Sequence, residues 1–157
     1  MRETRTLEFE EIITDSFLKT VCAFSNYEGG TLLFGVDNKG KIKGLSDTKR
    51  ACLDIENKIK ENISPQPNYV VETQMKNKIV KLIVKSGFKT PYLYKSKAYK
   101  RNDSSTIEVD TLEFSRLVLE GKNVRFEELL YKDQELTFKI LQHQLEECIH
   151  IEHFGID

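Results

Sequence analysis

Cysteine is scarce. Cys22, Cys52 and Cys148 are the only three in 157 residues. Their number is odd, they stand far apart, and they form neither a CxxC pair nor a Cys/His cluster. That argues against a disulfide scaffold and against a structural zinc site. Long apolar runs are also missing. None approaches the roughly 20 residues that a membrane helix requires. The first residues, Met-Arg-Glu-Thr-Arg, contain no apolar h-region, so no secretory signal is visible and the expected compartment is the cytoplasm. No GxGxxG, P-loop or GxSxG pattern occurs, which removes the common nucleotide-binding and hydrolase signatures. Composition itself is unremarkable: 39% hydrophobic and 31% charged residues exclude disorder and a collagen-like fibre. The length corresponds to about one domain, which buries roughly 70% of its unfolded surface.

Charge is abundant but segregated. Net charge is −1 overall, yet residues 1–38 sum to −4, residues 39–101 to +11 and residues 102–157 to −8. A basic centre between acidic flanks points to an anionic partner, or to lysines that pair with the flanking glutamates after folding.

The hydrophobic pattern predicts alternating short elements. Thr4–Glu10 places Leu7 and Phe9 on one side of a strand and Glu8 and Glu10 on the other. Asp15 or Ser16 is placed to cap a helix running to about Tyr27, with Phe17, Leu18, Val21, Cys22 and Phe24 at helical spacing. Gly29-Gly30 stops it, and Thr31–Val36 reads as a strand buried on both faces. Asp37-Asn38-Lys39-Gly40 is a turn, followed by a short return strand at Lys41–Gly44. A second amphipathic helix covers Ser46–Asn62. Tyr69–Gln74 and Lys78–Val84 form a hairpin around Met75-Lys76-Asn77. Two short strands, Pro91–Tyr94 and Ala98–Arg101, flank Lys95-Ser96-Lys97. Asp110 caps a helix to about Glu120 that ends at Gly121, and a last helix spans Glu135–Ile149. The class is mixed α+β: a mixed or antiparallel sheet with flanking helices, one compact core over residues 1–121, and a helical tail over 122–157 that leads into a longer protein.

Several stretches are more specific than this pattern. They are R-E-T-R-T-L-E-F at 2–9, V-C-A-F-S-N-Y-E-G-G-T-L-L-F-G-V-D-N-K-G-K-I-K-G-L at 21–45, P-Y-L-Y at 91–94 and A-Y-K-R-N-D-S-S-T at 98–106. Together they resemble the divergent Alba-type DNA-binding domain of the Schlafen family, also found in many bacterial regulators. The resemblance covers about residues 3–120. It implies a compact α+β domain that binds nucleic acid, DNA first, within a bacterial transcription regulator.

The residues offer their own candidates for that binding. Lys39, Lys41, Lys43, Lys49 and Arg50 form one basic cluster. Lys89, Lys95, Lys97, Lys100 and Arg101, interleaved with Tyr92, Tyr94 and Tyr99, form another. Lysine and arginine neutralise phosphates and release counterions. The favoured contacts are Lys39, Lys41, Lys43, Lys97, Lys100 and Arg101. The tyrosines either stack on unpaired bases or fill the core, because alternation along a strand separates them from the lysines. Asn26 and Gly29-Gly30 are either turn residues or a place where a phosphate comes close to the backbone.

The resemblance carries one alternative, a metal-dependent endoribonuclease. Its three carboxylates would map onto Glu3, Glu8 and position 38, where this chain has Asn38. Asp37 stands next to it, and Glu10 replaces a lysine usual in the family. A Glu3, Glu8, Asp37 set, or Glu8, Glu10 and Asp37 on neighbouring strands, would call for magnesium or manganese. The binding reading calls for no metal, no cofactor and no catalytic residue. A further alternative is a dimerisation or regulatory domain that uses the tail helix in a homodimer. Cys22 reads as a buried thiol, and His143, His150 and His153 as tail histidines without a metal role.

Overall fold

A computed structural model describes residues 2–123 of the chain. The expected helix at 135–149, Cys148 and the three histidines lie outside these residues.

The chain opens with β1 (Leu7–Glu10), α1 (Phe17–Asn26) and β2 (Gly30–Phe34). A strand, a helix and a second strand joined by short connections leave the two strands parallel, and β1 pairs with β2 in that sense, Leu7 opposite Thr31 and Glu10 opposite Phe34. Then come α2 (Thr48–Asn62), β3 (Ile63–Ser64) and the long hairpin β4 (Asn68–Gln74) and β5 (Ile79–Lys85). β5 pairs antiparallel with both β2 and β4, which gives a mixed four-stranded sheet in the order β1-β2-β5-β4. The remaining strands are short. β6 (Leu93–Tyr94) pairs with β3, and β7 (Tyr99–Asn102) with β8 (Ser105–Glu108). A third helix, α3, covers residues 111–123.

The register decides the core. One sheet face presents Leu32 and Phe34 from β2 and Val80, Leu82 and Val84 from β5. Phe17, Leu18, Val21 and Phe24 of α1 and Ala51, Ile55 and Ile59 of α2 pack in the same buried cluster. Each fully buried large apolar side chain there contributes roughly 1.5–3 kcal/mol. α1 is the centre of the fold, with nine of its ten residues buried and only Lys19 exposed. Its buried polar groups are all satisfied. Ser25 donates to the Val21 carbonyl at 2.8 Å, and Thr20 and Thr106 share a hydroxyl–hydroxyl bond at 2.9 Å. The opposite sheet face carries a smaller cluster, Phe9, Val36 and Ile79 with Leu7 and Leu33.

Several local expectations change. Ser16 does not cap α1. Its backbone is already helical and its hydroxyl bonds Thr14, while the Asp15 carboxylate takes Lys58 at 2.6 Å. Asp47 caps α2 instead, accepting from the Arg50 amide at 3.1 Å. Lys41–Gly44 is not a strand. A single bridge links Val36 to Ile42, and the amides of Lys43 and Gly44 both turn back onto the Gly35 carbonyl. Gly121 does not end α3, which continues to residue 123. A Cβ at that position would collide with the Thr90 carbonyl, so close helix-to-loop packing demands the glycine there. β3 and β8 have no counterpart in the sequence reading.

Candidate nucleic-acid interface

The loop after β2 is built around one carboxylate. Asp37 accepts from the amides of Lys39 and Lys41, both at 2.9 Å, and its own amide donates to the Lys41 carbonyl. Gly40, at φ 84°, closes the turn. The Lys41 amide, then that of Lys39, together with the charges of Lys43 and Lys41, hold the Asp37 carboxyl below its ordinary range against a smaller desolvation effect. The result is a fixed tip on which Lys39, Lys41 and Lys43 are all exposed.

The β4–β5 turn lies against this loop. The Leu45 amide donates to the Lys78 carbonyl at 2.7 Å, and Gly44 sits close to the backbone of Asn77. Lys76 and Lys78, both exposed, are thereby carried to the same end of the sheet. The sequence pattern marks Met75-Lys76-Asn77 only as a turn. The signal available was a lysine on each side of the hairpin tip, but only the pairing of β2 with β5 joins it to the first cluster.

The second basic stretch divides. Lys97 is exposed and lies 3.3 Å from Glu108. Lys95 projects over the Tyr94 ring at 5.3 Å, and Lys19 of α1 over Tyr99 at 5.8 Å. Tyr92, Tyr94 and Tyr99 are buried, so the reading of these rings as core holds and the stacking one does not. Lys100 is half-buried and lines a cavity of about 740 Å³.

Arg101 is inside. Its side chain is 4% exposed and its guanidinium meets Glu8 at 2.6 Å. It also donates to Thr106 Oγ1 at 2.9 Å and to the carbonyls of Thr4 at 2.6 Å and Arg5 at 3.2 Å, and lies over the Phe24 ring. These bonds tie the N-terminal turn to β7 and leave little of the fork for an external phosphate.

Asn26 and the glycine pair serve packing. The Asn26 amide donates to the Tyr92 carbonyl at 3.1 Å and accepts from the Tyr92 amide at 2.6 Å, which pairs a buried backbone segment as a strand would. Gly29, at φ 80°, comes so close to β5 that a Cβ would lie 2.8 Å from the Val84 carbonyl oxygen.

Three of the four carboxylates of the nuclease reading are engaged within the protein, Glu10 being the exception. Glu3 accepts from the Phe9 amide at 3.0 Å, Glu8 holds Arg101, and Asp37 holds its own turn. Glu8 and Glu10 share the sheet face on which α1 packs, β1 being the edge strand. Burial raises the Glu10 carboxyl to about 7, with Glu8 and Glu3 adding to it. Burial also raises Glu8, against the opposing pull of Arg101. Among the described residues, no three His, Cys, Asp or Glu side chains are arranged to hold a metal ion. With Asn38 at the third position, the residues present do not fit magnesium or manganese. Cys22 is buried, which pushes its thiol up to about 12.

The family model described as Schlafen, AlbA_2 matches residues 3–110. The chain belongs to that family. Its fold is similar to that of the DIP2311 protein from Corynebacterium diphtheriae, with a TM-score of 0.54 and 19% identity over 70% of this chain. The match spans 26% of that protein's own length. It is also similar to the N-terminal domain of a RecG-related protein from Nitrosomonas europaea, with a TM-score of 0.44 and 25% identity over 64% of this chain and 78% of that one. Comparison with curated proteins gave no match. Membership of the Schlafen, AlbA_2 family relates the chain to nucleic acid. Among the described residues, no helix is long and apolar enough to cross a membrane.

Proposed function

We propose that this Schlafen, AlbA_2 domain binds nucleic acid, DNA in the first place, as the binding module of a bacterial-type transcriptional regulator. The binding unit is residues 1–121, and it grips the phosphate backbone without catalysing a reaction. The observation that carries the reading is the Asp37-braced loop with Lys39, Lys41 and Lys43 exposed at its tip, beside Lys76 and Lys78. Three exposed lysines on a loop fixed by two hydrogen bonds to one carboxylate lose little freedom when they meet a phosphate row. Lys97 and Lys100 supply further contacts. Arg101 acts as a positioning residue, holding the N-terminal turn rather than touching the ligand.

Fluorescence anisotropy tests this with labelled duplex DNA, single-stranded DNA and structured RNA over a salt series. About five neutralised phosphates give a slope of log K against log salt near −4.5 on duplex. The triple variant Lys39→Ala, Lys41→Ala, Lys43→Ala removes about three of them and flattens the slope by roughly 2.7. A flat salt dependence in the parent protein sinks the proposal. Cleavage of RNA that requires added manganese and is lost in Glu8→Gln replaces it with the nuclease reading.

A further inference from the structure

The two edges of the main sheet are treated differently. At β1 the outward groups are occupied. Thr4 and Leu7 exchange amide-to-carbonyl bonds at 2.9 and 3.3 Å, and the Arg101 fork takes the carbonyls of Thr4 and Arg5. At the far edge, β4 pairs with β5 alone, and among the described residues no strand adjoins its other side. Alternate residues of β4 therefore turn their N–H and C=O groups away from the sheet. No residue of β4 is fully buried, and Asn68, Val70, Glu72, Thr73 and Gln74 are exposed.

Proteins protect an open edge with lysine, proline, a bulge or a short strand. β4 has none of these. Asn68–Gln74 is seven residues long, pairs with β5 without interruption, and carries one charge, Glu72. Tyr69, Val70, Val71 and Thr73 are strand-forming residues. Tyr69 and Val71 pack against the core cluster, so alternation puts Val70 and Glu72 on the other face. There Val70 is 42% exposed beside Ile83 of β5, and Glu72 stands beside Lys81.

We propose that β4 is the interface for a second copy of this chain, the two β4 strands pairing antiparallel about a two-fold axis at Val70 into one continuous sheet. The strand itself selects this partner and this register. About that centre Val70 meets Val70, Tyr69 meets Val71, and Asn68 meets Glu72. On the open face the row Ile83–Val70–Val70–Ile83 is apolar throughout, and on the core face each ring lies against a β-branched side chain. Each Glu72 faces a neutral amide and keeps its own Lys81 on the other side. A centre at Val71 sets Glu72 against Val70, and a centre at Glu72 sets two carboxylates against each other. The strand thus complements itself on both faces, as an isologous contact requires. This contact is separate from the tail helix expected to dimerise. It needs no nucleic acid, so it and the proposed function can fail independently.

Sedimentation velocity of the full chain over a concentration series tests this. Only about five residues of each copy pair, so the interface is small and the dimer dissociates on dilution. The expected result is a mass that rises from one chain to two between micromolar and millimolar concentration. Val70→Lys, which charges the open edge as natural edges are charged, keeps the chain monomeric over the whole series with the circular dichroism of the parent. Cross-linking in a Cys52→Ser, Cys148→Ser background reads the register. Val70→Cys stands opposite itself across the two-fold, within disulfide reach, and yields a covalent dimer under mild oxidation. Copies carrying Asn68→Cys and Glu72→Cys link to each other when mixed and not to themselves. One chain mass at every concentration overturns the proposal. A dimer that persists in Val70→Lys overturns it too, because it then uses another surface. So does a Val70→Cys chain that links no faster than Lys60→Cys on the exposed face of α2. Should Val70→Lys fail to fold, the cross-links alone decide.

Discussion

Arg101 separates a structural cation from a ligand contact, and its substitution has a calculable cost. The side chain is 4% exposed and its partner Glu8 is 17% exposed. Arg101→Ala removes the bond to Glu8 and the donors to the Thr4 and Arg5 carbonyls, while Glu8 stays on a face it shares with Glu10. Breaking a buried pair on one side costs about 3–5 kcal/mol, because the surviving charge loses its counter-ion without regaining water. Glu8→Gln keeps the shape and leaves the guanidinium its carbonyl partners, so its cost is smaller, about 1–2 kcal/mol. In the double variant no orphaned carboxylate remains, so the two losses do not add, and a coupling of about 2 kcal/mol is expected. The chain has no tryptophan, so urea unfolding is followed by circular dichroism. With a slope of about 1.5–2 kcal/mol per molar urea, Arg101→Ala lowers the midpoint by about 2 M. If Arg101→Ala unfolds within about 0.5 kcal/mol of the parent and yet loses DNA affinity, the clamp is refuted and Arg101 is a phosphate contact.

Glu10 makes stability fall as pH rises. Its carboxyl is raised to about 7 from 4.5, so the fold favours the protonated form, and this contribution is complete below pH 4.5 and gone once pH passes 7. The side chain is partly solvated, so the realised loss is about 1–2 kcal/mol, and Glu10→Gln should abolish it, read as urea midpoints from pH 5 to 8. Asn26→Ala leaves the buried Tyr92 amide and carbonyl without partners and should cost about 2–4 kcal/mol in the same assay; a loss below about 1 kcal/mol would mean water replaces the side chain. Lys95 and Ser96 both have positive φ, at 52° and 64°, in the two-residue connection between Tyr94 and Lys97. Lys95→Asn with Ser96→Gly, the residues such a turn prefers, should stabilise by about 1 kcal/mol, and thermal unfolding that shows no gain would place the strain elsewhere.

What the sequence discloses depends on how local the cause is. β1, α1, β2 and the β4–β5 hairpin follow from side-chain spacing within a few residues, and the fold has them nearly as expected. β3 and β8 do not. Ile63 and Ser64 become a strand only because Leu93 and Tyr94 pair with them, and Ser105–Glu108 offers no alternating apolar signal, since none of its residues is buried. The lysine loop was visible because its brace is local, Asp37 bonding two and four residues ahead. Arg101 looked like its lysine neighbours because its partner, Glu8, lies 93 residues away.

The same distinction explains why the family's most recognisable stretch says little about binding chemistry. Asn26, Gly29 and Gly30 are specific in sequence because each answers a steric or hydrogen-bonding demand within the protein. Asn26 pairs with the backbone of Tyr92. Gly29 clears the Val84 carbonyl, and a Cβ on Gly30 would lie 2.6 Å from the Phe24 ring. A segment fixed so tightly by its own interior is poorly placed to read a ligand. The groups left over once the fold has taken its share are the exposed lysines at the sheet end and Lys100 in its cavity. They form no close ion pair among the described residues, apart from the surface contact of Lys97 with Glu108. At about 57% and 52% exposure that contact contributes little and can be exchanged for a phosphate. On the proposed reading, binding chemistry in this domain resides where the sequence is least constrained by packing, and charge segregation along the chain points to it more directly than the motif does.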